Sequence, residues 1–494
     1  MKNKTNKLYN IDNIEFLKTL PDNSISSCIS DVPYALCDID ALKMIKEDAD
    51  NKGDFMGKKW ILPTVDFLKE CNRVLKDGAF FITSFSPRQD LQCVFSYRLL
   101  EAGFDINFTP ILWAFCQGFP KASDYAKICQ RRQNIPMEDC GEKLCADGSK
   151  PRKTAGNFDK TQLDQNSSYF RITKPTTPEA QYLDGLKSCQ LKPAYEVVII
   201  AQKPYKAKSK IDQALVWYDE RKELLDKGIK EEDLYLHTKN ASGGVRVDKN
   251  DMFDGAMSSR IPIENIENEA GWSGSNAKSV GIFTNCNECT SRTPNNEGRF
   301  PATILVENNC LDVGRETKSN GRKPQENGHN PENTIRLGLK HILGSNVSDQ
   351  GDLSRYFSLD AWTKKNLPEL YKISKKTLEL QEDAEKISPF LFTSKADKGS
   401  KNAGLEGQNI HCTAKSLSLY SYLINLFTFP YDLVLDPYCG SGTTPIACVL
   451  TNRHYIGLEL EKEYFDIAEA RVKHWQEQKE CQKNKTSKEE GTLI

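Results

Sequence analysis

The apolar run Leu433-Val434-Leu435 ends on an acid and opens into Asp436-Pro437-Tyr438-Cys439-Gly440-Ser441-Gly442-Thr443-Thr444. An amphipathic stretch to Leu450 follows, and then Tyr455-Ile456-Gly457-Leu458-Glu459. This succession predicts strand, glycine-rich turn, helix and second strand. A helix that returns the chain to a neighbouring strand is a crossover, so the segment commits the fold to a parallel α/β layer. Gly440 and Gly442 let the backbone approach a ligand closely, and the helix start beyond them offers unpaired N–H groups to a carboxylate or phosphate. Glu459 stands about twenty residues after the turn, where a carboxylate at a strand end can accept both ribose hydroxyls of a nucleoside. A bare Gly-x-Gly is more often structural, but the whole constellation points to nucleoside binding. A dinucleotide dehydrogenase would carry a third glycine where Pro445 stands, and a phosphate-loop NTPase would carry Gly-Lys-Ser/Thr; the sequence has neither.

Far away, Ser26 to Ser30 reads as a strand that ends at Asp31 and continues Val32-Pro33-Tyr34. An exocyclic amine on a nucleobase is a poor nucleophile because its lone pair is delocalised into the ring. A carboxylate and a backbone carbonyl, each accepting one N–H, localise that lone pair. Asp31 and the carbonyl of Val32 suit these roles. Pro33 disfavours the helical region for Val32 and keeps its carbonyl extended, while Tyr34 offers a ring to a base swung out of the duplex. Alone, Asp-Val-Pro-Tyr would read as a strand-ending turn. Beside a cofactor loop it reads as a clamp, because strand ends at a topological switch point form the ligand crevice of a doubly wound sheet. The chemistry requires no metal.

The chain of 494 residues has material for one large or two to three ordinary domains. Its 67 Lys and Arg against 68 Asp and Glu neither favour nor exclude nucleic acid, since a basic cleft can hide in a neutral total. Sixteen cysteines without regular spacing, behind a polar start with no signal-peptide core, predict reduced thiols and a cytoplasmic location. No apolar run reaches membrane-spanning length.

Short apolar runs alternate with amphipathic stretches from Leu8 to about Phe119. Helices are predicted over Val65 to Val74 and Leu91 to Leu100, a turn at Lys76-Asp77-Gly78, and strands at Ala79 to Thr83 and Tyr195 to Ala201, the last stopped by Lys203-Pro204. The middle is polar and rich in Asn, Gly and Lys. The expected organisation is therefore residues 1–204 as one half of a catalytic domain, 205–384 as an inserted recognition region, 385–475 as the cofactor-binding half, and 476–494 as a charged, solvated tail.

In these motifs the chain resembles bacterial and phage DNA amino-methyltransferases of the β order, in which the clamp precedes the recognition region and the cofactor loop comes last. Further matching segments are Leu8 to Tyr34, Phe55-Met56-Gly57-Lys58-Lys59-Trp60, Gly118-Phe119-Pro120-Lys121, Leu191-Lys192-Pro193-Ala194-Tyr195-Glu196, Gly298-Arg299-Phe300-Pro301-Ala302 and His411-Cys412-Thr413-Ala414-Lys415-Ser416. The resemblance implies a class I S-adenosylmethionine-dependent methyltransferase fold: doubly wound α/β, mostly parallel, with circularly permuted motif order and an inserted, loop-rich recognition region. It implies Asp31, Val32, Pro33 and Tyr34 as the catalytic clamp. It implies a cofactor site of Asp12 near the adenine end, Thr413 and Lys415 near the methionine end, and Asp436, Pro437, Gly440, Ser441, Gly442, Thr443, Thr444 and Glu459. The implied partner is double-stranded DNA, methylated at N6 of adenine or, as an alternative, N4 of cytosine. A homodimer and a cognate restriction enzyme are left open, and no membrane partner is expected.

Two departures stand out. The family carries proline where Val32 stands, and prolines where Cys412 and Ser416 stand. Val32 keeps the carbonyl but adds an N–H and loosens the backbone. A functional but divergent enzyme is expected, with a catalytically decayed DNA-binding relative as the reading from another class. Methyltransferases of protein glutamine or RNA bases use similar clamps, but those usually place the cofactor loop first. Cys286-Asn287-Glu288-Cys289 has metal-ligand spacing but lacks a partner pair, so it is assigned no metal. His411 and His454 are read as scaffold residues, and the basic stretches Lys203 to Lys210 and Lys364 to Lys376 as solvated faces.

Overall fold

The computed structural model describes residues 1–34, 40–47, 53–55, 58–114, 123–142, 171–189, 195–253, 256–262, 301–306, 317–319, 349–351, 358–373, 401–405 and 414–490. Within these, eight strands form one sheet: β1 (Lys7–Asn10), β2 (Ile25–Ser30), β3 (Leu75–Phe85), β4 (Ile111–Ala114), β5 (Tyr195–Gln202), β6 (Ile304–Val306), β7 (Leu433–Asp436) and β8 (His454–Glu459). Their spatial order is β1-β8-β7-β2-β3-β5-β4-β6. The pairs from β1 across to β3 are parallel, as is β4 with β6, whereas β3 and β5 are antiparallel.

Successive strand residues point to opposite faces, and here both faces are apolar, so the sheet is covered on both sides. Leu433, Leu435, Phe81, Val197 and Ile199 join one core with α3 (Val65–Val74) and α4 (Gln89–Glu101). Val434, Phe80, Ile82 and Val198 join the other with α8 (Leu359–Asn366), α9 (Leu417–Phe427), α10 (Thr443–Leu450) and α11 (Lys462–Glu490). The helix counting runs in chain order through α1 (Asn13–Leu17), α2 (Ala41–Glu47), α5 (Tyr125–Arg132), α6 (Pro178–Tyr182) and α7 (Lys210–Asp226). This is the doubly wound, mostly parallel α/β fold that the sequence predicts.

Two expectations change. The predicted turn at Lys76-Asp77-Gly78 lies inside β3, as a bulge: Ile25 pairs with Leu75 but Ser27 already pairs with Phe80. The bulge turns Lys76 inward, where its ammonium donates to Ser26 Oγ (3.1 Å), the Tyr235 carbonyl (3.1 Å) and Thr238 Oγ1 (2.6 Å), and burial lowers its pKa to about 8. Residues 476–490 are not a loose tail but the end of α11, where Lys479 is bound to the Val449 carbonyl and Asn452 Oδ1.

Contacts divide the chain into one unit of Met1–Phe115, Glu196–Gly407 and Ala414–Ile494, and a second of Cys116–Tyr195 with Gln408–Thr413. The described residues of 205–384 fall in the same unit as the sheet. The cause is visible in its first part: Gln213 on α7 donates to the Asp77 and Ala241 carbonyls, and residues 235–238 receive Lys76. In the second unit, α5 and α6 are joined through Gln130, which donates to the Pro136 carbonyl and Thr176 Oγ1. Also among its described residues, Glu138–Glu142 pairs antiparallel with Arg171–Lys174.

Candidate active site

β7 leads through α10 to β8 on one side of the sheet, while β2 leads by way of α3 to β3 on the other, so strand order reverses between β7 and β2. A crevice beyond the strand ends is the geometric result. It brings Asp31 and Asp436, 405 positions apart in sequence, to the ends of adjacent strands, Asp31 just after β2 and Asp436 closing β7. Ser30 Oγ donates to Asp436 Oδ1 at 2.6 Å, and Thr444 Oγ1 donates to the Ile29 carbonyl at 3.3 Å. Asp436 also accepts the Tyr438 N–H at 3.1 Å, and burial raises its pKa to about 6.

The loop after β7 is held from three directions. Gly440 N–H donates to Glu459 Oε2 (2.8 Å) at the end of β8, and the Glu461 N–H binds Oε1 (2.9 Å). Burial raises the Glu459 pKa, and each carboxylate oxygen retains lone-pair capacity beyond these single bonds. The Arg471 guanidinium of α11 binds the Ser441 carbonyl and, at 3.0 Å, its hydroxyl. Asn13 donates to the Pro437 carbonyl at 3.3 Å, and its neighbour Asp12 caps α1 by accepting the Glu15 N–H at 3.1 Å. Gly442, the N-cap of α10, has φ +82°, and a Cβ there would lie 3.2 Å from Ala468 Cα. Only glycine meets both demands. Ser441, Thr443 and Thr444 are buried behind the loop.

On the clamp side, the Val32 side chain is buried in the core and its N–H donates to Thr83 Oγ1 at 3.2 Å. The extra donor that replaces a proline is therefore satisfied by the neighbouring strand. Tyr34 meets Phe85 edge-on, ring centroids 5.7 Å apart, and burial raises its phenol above the ordinary value. Tyr420 on α9 donates to the Ser30 carbonyl (3.1 Å) and lies 3.1 Å from the Ser84 hydroxyl.

Lys415 occupies a place that the resemblance does not imply. Its Nζ lies 3.2 Å from Asp31 Oδ1 and 2.9 Å from Glu196 Oε2, so the structure records it on the clamp acid. Burial would lower its pKa, but the carboxylates of Asp31 and Glu196 outweigh burial and hold it well above the ordinary value. Thr413 lies outside the described residues, as do Gly118 to Lys121, Cys286 and Cys289. Among the described residues no group of His, Cys, Asp and Glu is arranged to hold a metal, and no helix is long and apolar enough to cross a membrane. His454 has structural partners in Asn6 and the Glu232 carbonyl, and Lys203 in Asn23 and the Leu75 carbonyl.

Sequence reasoning assigned no role to Glu196, Ser30, Thr83, Tyr420 or Arg471. For Glu196 a signal existed: a carboxylate heading the apolar run Val197-Val198-Ile199-Ile200-Ala201 needs a buried partner. For the hydroxyls no such signal exists, because serine and threonine are common in strands and loops alike.

A doubly wound sheet with a glycine-rich loop beyond one strand and an acid-led segment beyond its neighbour is the architecture of a nucleoside-cofactor enzyme. The chain belongs to the DNA methylase family, whose model matches residues 25–470. That family takes its methyl group from S-adenosylmethionine. Over 64 residues the chain is 48% identical to the type II methyltransferase M2.MboI of Moraxella bovis, which is 13% of this chain and 23% of that protein. Over 68 residues it is 43% identical to the type II methyltransferase M.HinfI of Haemophilus influenzae, 14% and 19% of the two chains. The matched stretches thus span about a fifth of these relatives. Among solved structures, the M1.HpyAVI–SAM complex aligns over 94% of this chain and 98% of its own at 13% identity and a TM-score of 0.31. The cytosine-N4-specific PvuII DNA methyltransferase aligns over 94% and 85% at 12% and 0.34.

Proposed function

We propose that this chain methylates the N6 amine of adenine in double-stranded DNA at a particular sequence, using S-adenosylmethionine. The observation that carries the reading is the 2.6 Å hydrogen bond from Ser30 to Asp436, which joins the strand of the amine clamp to the strand of the cofactor loop. The loop fits a nucleoside cofactor: Gly442, in the left-handed region, lets it turn tightly against α11 into the start of α10, and Glu459 offers a carboxylate at the neighbouring strand end. Asp436, Pro437, Gly440, Ser441, Gly442, Thr443, Thr444 and Glu459 would hold it, with Asp12 toward its adenine end.

When bound, the cofactor supplies a methyl group on a sulfonium, which departs as a neutral thioether. The residues of this chain prepare the amine. The Asp31 carboxylate and the Val32 carbonyl each accept one N–H, which localises the nitrogen lone pair for forming the N–C bond. Pro33 keeps that carbonyl extended, and Tyr34 supplies a ring for the extruded base. The amine gives up one proton as the bond forms, and Asp31 is the base within reach of it.

Cytosine N4 presents the same two N–H groups, so the clamp alone does not separate the two bases. Residues 205–384 and the separate unit at 116–195 are the candidate readers of DNA sequence. A homodimer, a cognate restriction enzyme and a cytoplasmic location belong to this proposal and rest on the family.

Incubation of the protein with radiolabelled S-adenosylmethionine and unmethylated DNA, followed by nucleoside analysis, tests the reading. Label is expected in N6-methyladenine, with a loss of about 10²–10³-fold in Asp31→Ala. Label in N4-methylcytosine would reassign the base. Transfer to protein or RNA alone would reject DNA as substrate, and DNA binding without any transfer would leave the decayed reading.

A further inference from the structure

Lys415 lies just ahead of α9, between carboxylates from two other segments: Asp31 after β2 and Glu196 at the start of β5. The Lys415 and Glu196 side chains are each 4% exposed, whereas that of Asp31 is 21% exposed. Sealing an ion pair away from water gains little stability, because desolvation consumes most of the attraction. A hydrophobic pair would fill the same space at no greater cost. Placement of the pair directly on the clamp acid is therefore better explained by what it does to that acid.

We propose that Glu196 and Lys415 are a positioning pair that fixes the Asp31 carboxylate and sets the charge of the amine clamp, a reading that rests on the amine methylation proposed above. Lys415 keeps Asp31 ionised, the form that accepts an N–H. Glu196 offsets the ammonium, so that Asp31 stays basic enough to draw a proton from the amine. Two carboxylates and one ammonium leave a single negative charge beside the place where positive charge develops. Among the described residues, the other titratable groups facing the trio are Tyr34, Tyr420 on α9 and, beyond Tyr420, Asp436 at the end of β7. Burial raises both phenols, which stay neutral through the working range.

The charges give opposite predictions for the two members. Glu196→Gln keeps an acceptor for Lys415 and the same shape, but leaves the trio neutral. Lys415→Met leaves two carboxylates facing each other. The acid limb of the pH profile of kcat, at saturating donor and DNA, is expected to move down by about one pH unit in the first and up by a similar amount in the second. The double variant restores the single negative charge, and its limb should return close to that of the wild type.

The same displacements are expected in a 13C carboxyl titration of aspartate-labelled protein without donor or DNA, with Asp31→Asn identifying the resonance. Thermal melts followed by circular dichroism establish that each variant is folded. Should Lys415→Met not fold, Glu196→Gln decides alone, because it is isosteric. Limbs that stay put, or that move in the same direction in both variants, overturn the pair, since a merely structural role changes stability without opposite displacements. Opposite NMR displacements in a protein that methylates no DNA would keep the pair and defeat the proposed reaction. Flat NMR titrations in an active wild type would defeat the pair and keep the reaction.

Discussion

Val32 shows how one backbone atom decides whether a divergent clamp survives. The sequence exposes the substitution and its cost, an added N–H in a buried turn, but not the remedy. Thr83, on the neighbouring strand, accepts that N–H at 3.2 Å and passes its own hydroxyl proton to the Ser84 carbonyl at 2.9 Å. Thr83→Val should therefore destabilise the protein by about 1–3 kcal/mol, the cost of a buried donor left unsatisfied. In a Val32→Pro background, which has no such donor, the same substitution should cost markedly less. Urea unfolding of the four proteins measures the difference. Equal costs in both backgrounds would mean that the Thr83 bond does not hold the clamp.

At the scale of elements, strand–loop–helix–strand at 433–459 formed almost as its residues suggested, because apolar strand, glycine turn and amphipathic helix all agree locally. β7, α10 and β8 begin and end within a residue or so of the expected positions. Where local signals misled, tertiary bonds had overridden them. Lys76-Asp77-Gly78 carries turn chemistry, yet it is a bulge within β3 because Lys76 is drawn inward by Ser26, Tyr235 and Thr238. The charged residues after Trp475 remain helical, with Lys479 anchored to the end of α10. The loop itself depends on a close approach of α11. Gly442→Ala forces a side chain into the left-handed region and against Ala468, and is expected to cost about 1–2 kcal/mol. Calorimetric titration with S-adenosylmethionine should show weakened donor binding as the loop yields. An unchanged affinity would place the donor elsewhere.

At the scale of the whole molecule, the sheet is completed by strands from both ends of the chain, and Asp436 is buried where they meet. Burial raises its pKa to about 6 from an ordinary 3.8. Between those values the folded protein holds a proton that the unfolded chain has released, so stability falls as pH rises through that window. About two pH units at roughly 1.4 kcal/mol each give a loss of roughly 3 kcal/mol. Asp436→Asn has no such step, so the wild type should lose about that much relative to the variant between pH 4 and pH 7 in urea unfolding. A difference that does not change with pH would mean that Asp436 is already ionised in the folded protein at pH 4.

The sequence by itself determined the parallel α/β class and the strand–loop–helix–strand at 433–459, and it singled out the acid-led segment after β2. Each is written in a short stretch of residues whose propensities and chemistry agree. Only the tertiary structure decided that β7 lies beside β2, that Lys415 faces Asp31 and Glu196, that Thr83 satisfies Val32, and that the compact second unit is 116–195. The pairings among these span 51 to 407 positions of chain. They are set by which buried donors, acceptors and charges find partners once the sheet closes, and no local pattern carries that information.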